Sequence, residues 1–117
     1  MPKRDVGVLL EDILAAIDKI SRFITGVELK KFINDEKTVD AVVRNLEIIG
    51  EAARQIPSEF ASQHPEIPWS HIIGLRNRIV HDYAGIDLDL IWEIINNDLK
   101  SLRPAIEPLY NKENDRK

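Results

Sequence analysis

The chain reads as an all-α protein, a bundle of four to five helices with short loops, on three observations. Apolar residues recur at spacings of three and four along most of its 117 residues. No stretch alternates apolar and polar residues as a half-buried strand does, and no hairpin turn signal interrupts the pattern. Glycines number only five, so there are few places where helical pattern must give way to a turn.

Val6, Leu9, Leu10, Ile13, Ile17 and Ile20 share one face of a first helix, with Asp5 as its expected N-cap. Thr25 and Gly26 punctuate the chain, and Glu28 to Phe32 suggests one short helical turn before Asn34-Asp35. A longer helix follows on Val39, Val42, Val43, Leu46, Ile49 and Ala53, and Pro57 stops it after Ile56. Ser58 to Gln63 fits a short helix capped by Ser58, and His64-Pro65-Glu66-Ile67-Pro68 an extended connector. Pro68 suits the first turn of a helix from Trp69 to about Tyr83, buried through Ile72, Ile73, Leu75, Ile79 and Val80 and ended by Gly85. Asp87 is placed to cap a last helix through Ile91, Ile94, Ile95, Leu99, Leu102, Ile106 and Leu109, with a kink expected at Pro104. Asn111 to Lys117 is polar enough to fray. The expected organisation is a single domain over 1–112 with a polar tail at 113–117.

Composition narrows the function. The chain is 44% hydrophobic and 31% charged, the balance of a soluble domain, and no apolar run approaches the roughly 18 residues of a membrane span. The start, Met1-Pro2-Lys3-Arg4-Asp5, leads directly into an amphipathic pattern without a secretory apolar core, so a cytoplasmic location is expected. Cysteine is absent, which excludes disulfides, thiolate metal sites and thiol nucleophiles. A formal charge of −4 argues against binding nucleic acid through bulk electrostatics, so any RNA contact must be local. No histidine pair, or histidine and carboxylate, has the helical spacing of a zinc site, and neither metal nor cofactor is expected.

The chemistry concentrates in Leu75-Arg76-Asn77-Arg78-Ile79-Val80-His81-Asp82-Tyr83. Arg76 is a permanent cation with a planar fork that suits phosphate oxygens, and His81 titrates near neutrality and can move a proton. That pair suits phosphodiester chemistry without a metal. Cations at a helix C-terminus and a Tyr at a bundle edge also have ordinary structural uses. On an ideal helix Arg76 and Tyr83 lie about 20° apart, whereas His81 lies about 140° from Arg76. Either the helix loosens near His81, or two protomers set their clusters face to face in a composite site; the second arrangement, aided by the first, is favoured. His64 and His71 are expected to face solvent or to cap. A second run, Arg44 to Arg54, offers Arg44, Glu47, Glu51 and Arg54 for ion pairs on an exposed face, while Gly50, Ala52 and Ala53 permit close helix approach. Apolar seams of nearly heptad spacing on the first and Val39 helices leave surface that a homodimer could use.

These two runs, with His64-Pro65-Glu66-Ile67-Pro68-Trp69 and Gly85-Ile86-Asp87-Leu88-Asp89-Leu90-Ile91-Trp92-Glu93-Ile94-Ile95, resemble the HepT-like family of the HEPN superfamily over nearly the whole chain. Arg76, the polar Asn77 and His81 match the family's Arg–polar–His signature, and Tyr83 completes R-x-x-x-x-H-x-Y. The resemblance implies an all-α HEPN bundle acting as a dimeric, metal-independent ribonuclease, the toxin of a toxin–antitoxin pair whose antitoxin is an MNT-type nucleotidyltransferase. It also implies catalytic roles for Arg76 and His81, a supporting role for Asn77, and attachment of AMP by the antitoxin at Tyr83. Arg44 and Arg54 lie outside the motif and receive no such role. Independently of the resemblance, neutral His81 can accept a 2′-hydroxyl proton while Arg76 stabilises the growing phosphorane charge. A rival reading is a non-catalytic helical module that docks on a nucleotidyltransferase and holds nucleotide phosphate through Arg76. A purely structural dimerisation domain is a third.

Overall fold

The three- and four-residue apolar spacing sets the frame. Helix α1 (Val6–Ile24) buries Leu9, Leu10, Ile13, Ile17 and Ile20, and α3 (Glu36–Gln55) buries Val39, Val42, Val43, Leu46, Ile49 and Ala53. The two pack together more extensively than any other pair of elements. Leu10, Ile13, Leu46 and Ile49 each show 0% exposure, and such burial contributes about 1.5–3 kcal/mol per side chain. This seam therefore outweighs any single surface ion pair in the molecule. The computed structural model describes residues 5–81 and 85–115; the side chains of Arg76, Ile79, Val80, His81 and Ile86 lie outside that description.

Local chemistry accounts for the element ends. Asp5 occupies the N-cap of α1 and its carbonyl accepts the Leu9 amide at 3.1 Å, although its carboxylate makes no capping bond. After Thr25, Gly26 takes φ +73°, a conformation that costs a residue with a Cβ. Helix α2 (Leu29–Ile33) is held by Phe32, which is fully buried with its ring 5.1 Å from that of Trp92. Asp35 caps α3: its carboxylate accepts from the Thr38 amide at 3.2 Å and the Thr38 hydroxyl at 2.7 Å. Both bonds hold the Asp35 carboxyl below the ordinary carboxylate range.

Beyond Pro57 the chain makes α4 (Ser58–Gln63), in which Pro57 rather than Ser58 stands at the cap position. The connector is tied down by Ile67, 2% exposed, and by the Trp69 indole N–H donating to the His64 carbonyl at 3.1 Å. His64 is partly covered, its ring 4.6 Å from that of Phe60 and its Nδ1 3.4 Å from Glu66, so it does not simply face solvent.

The expected helix from Trp69 to Tyr83 is instead three pieces: α5 (Trp69–Ile73), α6 (Leu75–Ile79) and a short strand β1 (Val80–His81). Gly74, the C-cap of α5, divides the first two. The strand pairs antiparallel with β2 (Gly85–Ile86), Val80 opposite Ile86 and His81 opposite Gly85, so the chain has a two-residue ladder that its helical patterning hid. β-Branched Ile79 and Val80 favour that extended path. Ile72 and Leu75 are buried as expected, whereas Ile73 is 39% exposed.

Asp87 caps α7 (Leu88–Glu93) by accepting the Leu90 amide at 3.0 Å. A π-helical turn (Ile94–Asp98) joins it to α8 (Leu99–Asp115), and the expected apolar positions from Ile91 to Leu109 are all buried. Helix α8 runs through Pro104 and Pro108 and past Asn111 to Asp115, beyond the point where the polar sequence suggests fraying. The architecture is an all-α bundle, with no described helix long and apolar enough to cross a membrane.

Candidate functional site

Helix α3 approaches α5 at Gly50. A Cβ built there would lie 3.3 Å from the Ile72 carbonyl oxygen and 3.6 Å from that of Ile73, so the missing side chain sets the spacing. The small trio read from the sequence does permit close approach. Just beyond the contact, a groove of about 640 Å³ opens between the polar face of α3 and the start of the Arg76–Tyr83 run. Its lining includes Arg44, Glu47, Glu51 and Arg54 of α3, Ile73 of α5, Asn77 of α6 and Asp12 of α1.

The ion pair expected on α3 is present. Arg54 reaches Glu51 with both Nε (3.1 Å) and Nη2 (2.5 Å). The hydrogen bond from Arg54 holds the Glu51 carboxyl below its ordinary range, and Glu51 in turn raises the guanidinium's. Among the described residues that line the groove, three carboxylates, Asp12, Glu47 and Glu51, face two guanidiniums, Arg44 and Arg54. Those described residues alone would not hold nucleic acid by net charge.

Asn77 is exposed and borders the groove. Arg76 lies on α6 and His81 on β1, with their side chains outside the described residues, as is the whole of Tyr83. The helix gives way at Ile79, two residues before His81. The angular offset of a continuous helix therefore no longer governs how Arg76 and His81 relate, and the loosening weighed from the sequence is present in the backbone.

On another side of α6 lies a cluster that sequence reasoning missed. Arg78 Nη1 is 2.5 Å from His71 Nε2 and 3.7 Å from Asp98 Oδ2, and the same His71 nitrogen is 3.3 Å from that carboxylate oxygen. The three residues come from α6, α5 and the end of the π turn. Arg78 was visible inside the motif, but nothing in the spacing linked it to a carboxylate twenty residues later. Among the described residues no three His, Asp or Glu side chains gather as metal ligands.

The model of the family described as Ribonuclease HepT-like matches residues 13–109. The chain belongs to the HepT-like ribonuclease family. The match spans α6, the cluster at Asp98 and the groove's lining apart from Leu9 and Asp12. A relative in Thermococcus cleftensis, named "Probable ribonuclease HepT", is 41% identical over 107 residues, covering 92% of this chain and 97% of that protein. A "Putative RNase" of Methanocaldococcus jannaschii is 40% identical over 107 residues, covering 92% of this chain and 98% of that protein. No solved structure gave a match. The HepT-like signature read from Arg76, Asn77, His81 and Tyr83 thus sits within a chain-wide likeness.

Proposed function

We propose that this HepT-like chain is a metal-independent endoribonuclease, working as a homodimer at a composite site. The observation that carries the reading is the position of the motif: it begins on a short helix with Asn77 at the rim of an open groove, and passes into an extended segment at His81. His81 takes the proton of a ribose 2′-hydroxyl, the 2′-oxygen attacks phosphorus, and Arg76 stabilises the negative charge on the non-bridging oxygens. The P–O5′ bond then breaks. The partner subunit's His81, in its protonated form, gives a proton to the departing 5′-oxygen, leaving a 2′,3′-cyclic phosphate and a 5′-hydroxyl. Asn77 supports by hydrogen bonding to the substrate backbone.

Two-fold pairing supplies the second imidazole that one chain lacks at this motif. Exposed Ile73, one turn before Asn77 in the same groove, offers apolar surface to a second copy. In the toxin–antitoxin reading, a nucleotidyltransferase transfers AMP from ATP to the Tyr83 hydroxyl with release of pyrophosphate. The added phosphate would bring negative charge to the motif and compete with the RNA phosphate for Arg76.

The excess of carboxylates among the groove's described residues favours one rival, a protein-docking module that does not cut RNA. The two separate in one experiment. Purified protein is expected to cleave single-stranded RNA in EDTA, while His81→Ala and Arg76→Ala lose at least about a hundredfold in rate, the usual scale for a general base or charge-stabilising group, and retain their helical circular dichroism. Equal rates for parent and both variants would overturn the nuclease reading.

A further inference from the structure

Helix α6 has five residues, far too few to hold its own direction in water, where isolated helices need about 12–15 residues even to form partially. Its bearing must come from tertiary contacts. Leu75, 2% exposed, anchors its start, and the amide of Arg78 donates to the Gly74 carbonyl at 3.1 Å. Helix α6 also packs against α3 and α7, and its far end runs into the β1–β2 ladder at Val80; what these leave to be set is how that end meets the π turn. The described side chain at that end with long-range partners is Arg78.

Arginine can only donate, so the 2.5 Å contact requires His71 Nε2 to accept, with the ring proton on Nδ1. The Asp98 carboxylate can only accept, so at 3.3 Å from the same nitrogen it gains nothing from His71 in that tautomer. Its role is to balance the guanidinium, 3.7 Å away. Glu66 borders the same crevice as His71 and Asp98 and adds a second negative charge there. The crevice therefore does not suit an RNA phosphate. The cation that Asp98 does meet is Arg78.

We propose that Arg78 is a positioning residue for the ribonuclease reaction: held by His71 and Asp98, it clamps α6 to the π turn and thereby sets the approach of Arg76 and His81 to one phosphodiester. The inference rests on the ribonuclease reading above. Its geometry explains why a π turn ends at Asp98: a wider turn re-aims the residue at its end, and such turns commonly occur where a side chain must be presented.

The test is a double-mutant cycle on cleavage by the full-length protein, with Arg78→Gln, Asp98→Asn and the pair. The clamp predicts that each single variant loses roughly ten- to a hundredfold in kcat, the scale of a small misplacement at the reacting centre, with KM little changed. It also predicts that the double variant is no slower than the slower single. His71→Gln, whose amide oxygen can still accept from Arg78, should keep more activity than His71→Leu. Unchanged kcat in the single variants, or losses that simply add, would overturn the clamp. A rise in KM with a weaker salt dependence would overturn it too, by making Arg78 a direct phosphate contact. If the parent itself fails to cut RNA, the ribonuclease reading falls, and the clamp is then judged by amide NMR shifts. Asp98→Asn must move the Leu75–His81 resonances as a group, and shifts confined to residues beside Asp98 would sink it.

Discussion

An alanine at position 50 would bring its methyl to 3.3 Å from the Ile72 carbonyl oxygen, a distance at which a neighbour has to yield. The neighbour is backbone, at the end of a five-residue helix whose Ile72 side chain is buried in the core. Alanine would gain about 1 kcal/mol of helix propensity, while forcing a methyl into a packed contact costs about 1–3 kcal/mol. The clash should win. We expect Gly50→Ala to lower the urea midpoint without altering the m-value, and RNA cleavage to fall by more than the small lost fraction of folded protein, because α5 carries α6 with it. A midpoint at or above the parent's would mean that the helices part freely. At this scale the sequence was readable where one residue sufficed: a glycine amid small residues in a long helix called for close packing. It was unreadable where three distant residues had to meet, as at His71, Arg78 and Asp98.

Between elements, α1 and α8 are joined by a two-pronged pair, Arg103 Nε to Asp18 Oδ1 at 2.7 Å and Nη2 to Oδ2 at 3.1 Å, with Glu107 also on Arg103. The Arg103 hydrogen bond holds the Asp18 carboxyl below its ordinary range. A carboxyl depressed in the folded state adds stability above its unfolded pKa, about 3.9, and that contribution disappears as pH falls through the lower folded value. Both side chains are about two-fifths exposed, so solvent screening limits the pair to about 0.5–1 kcal/mol. Asp18→Asn should thus be less stable than the parent at pH 7, with a gap that narrows as pH falls below about 3.9; a gap of constant size down through that range would trace to packing instead. The long helices were legible because a burial face repeats over five turns or more. The motif helix was not, since Ile72, Leu75, Ile79 and Val80 continue the spacing while Gly74 and the β-branched pair redirect the backbone.

For the whole molecule, charge and exposed apolar surface decide what can assemble. Large exposed apolar side chains among the described residues are Phe23, Ile33 and Ile73, and Ile73 alone of these lies in the groove beside the motif. If a second copy sits there, Ile73→Glu should shift sedimentation from dimer to monomer and abolish cleavage with the helical content intact. A parent that sediments as a monomer, or a variant that still pairs, would remove the composite site. The bundle class, the core and the HepT-like membership could all be drawn from the linear text, because burial and motif are both periodic or contiguous there. Where Arg76 and His81 point could not be drawn from it, since that depends on short segments whose course is set by distant partners. The broadened turn at Ile94–Asp98 bears on the gene as well as the protein. Losing one codon from Asn96-Asn97-Asp98 would let the helix close into ordinary geometry with Ile91, Ile94, Leu99 and Leu102 still on the inner side. If the Arg78 contact is what that surplus residue serves, a one-codon deletion there should leave the bundle standing and remove the contact.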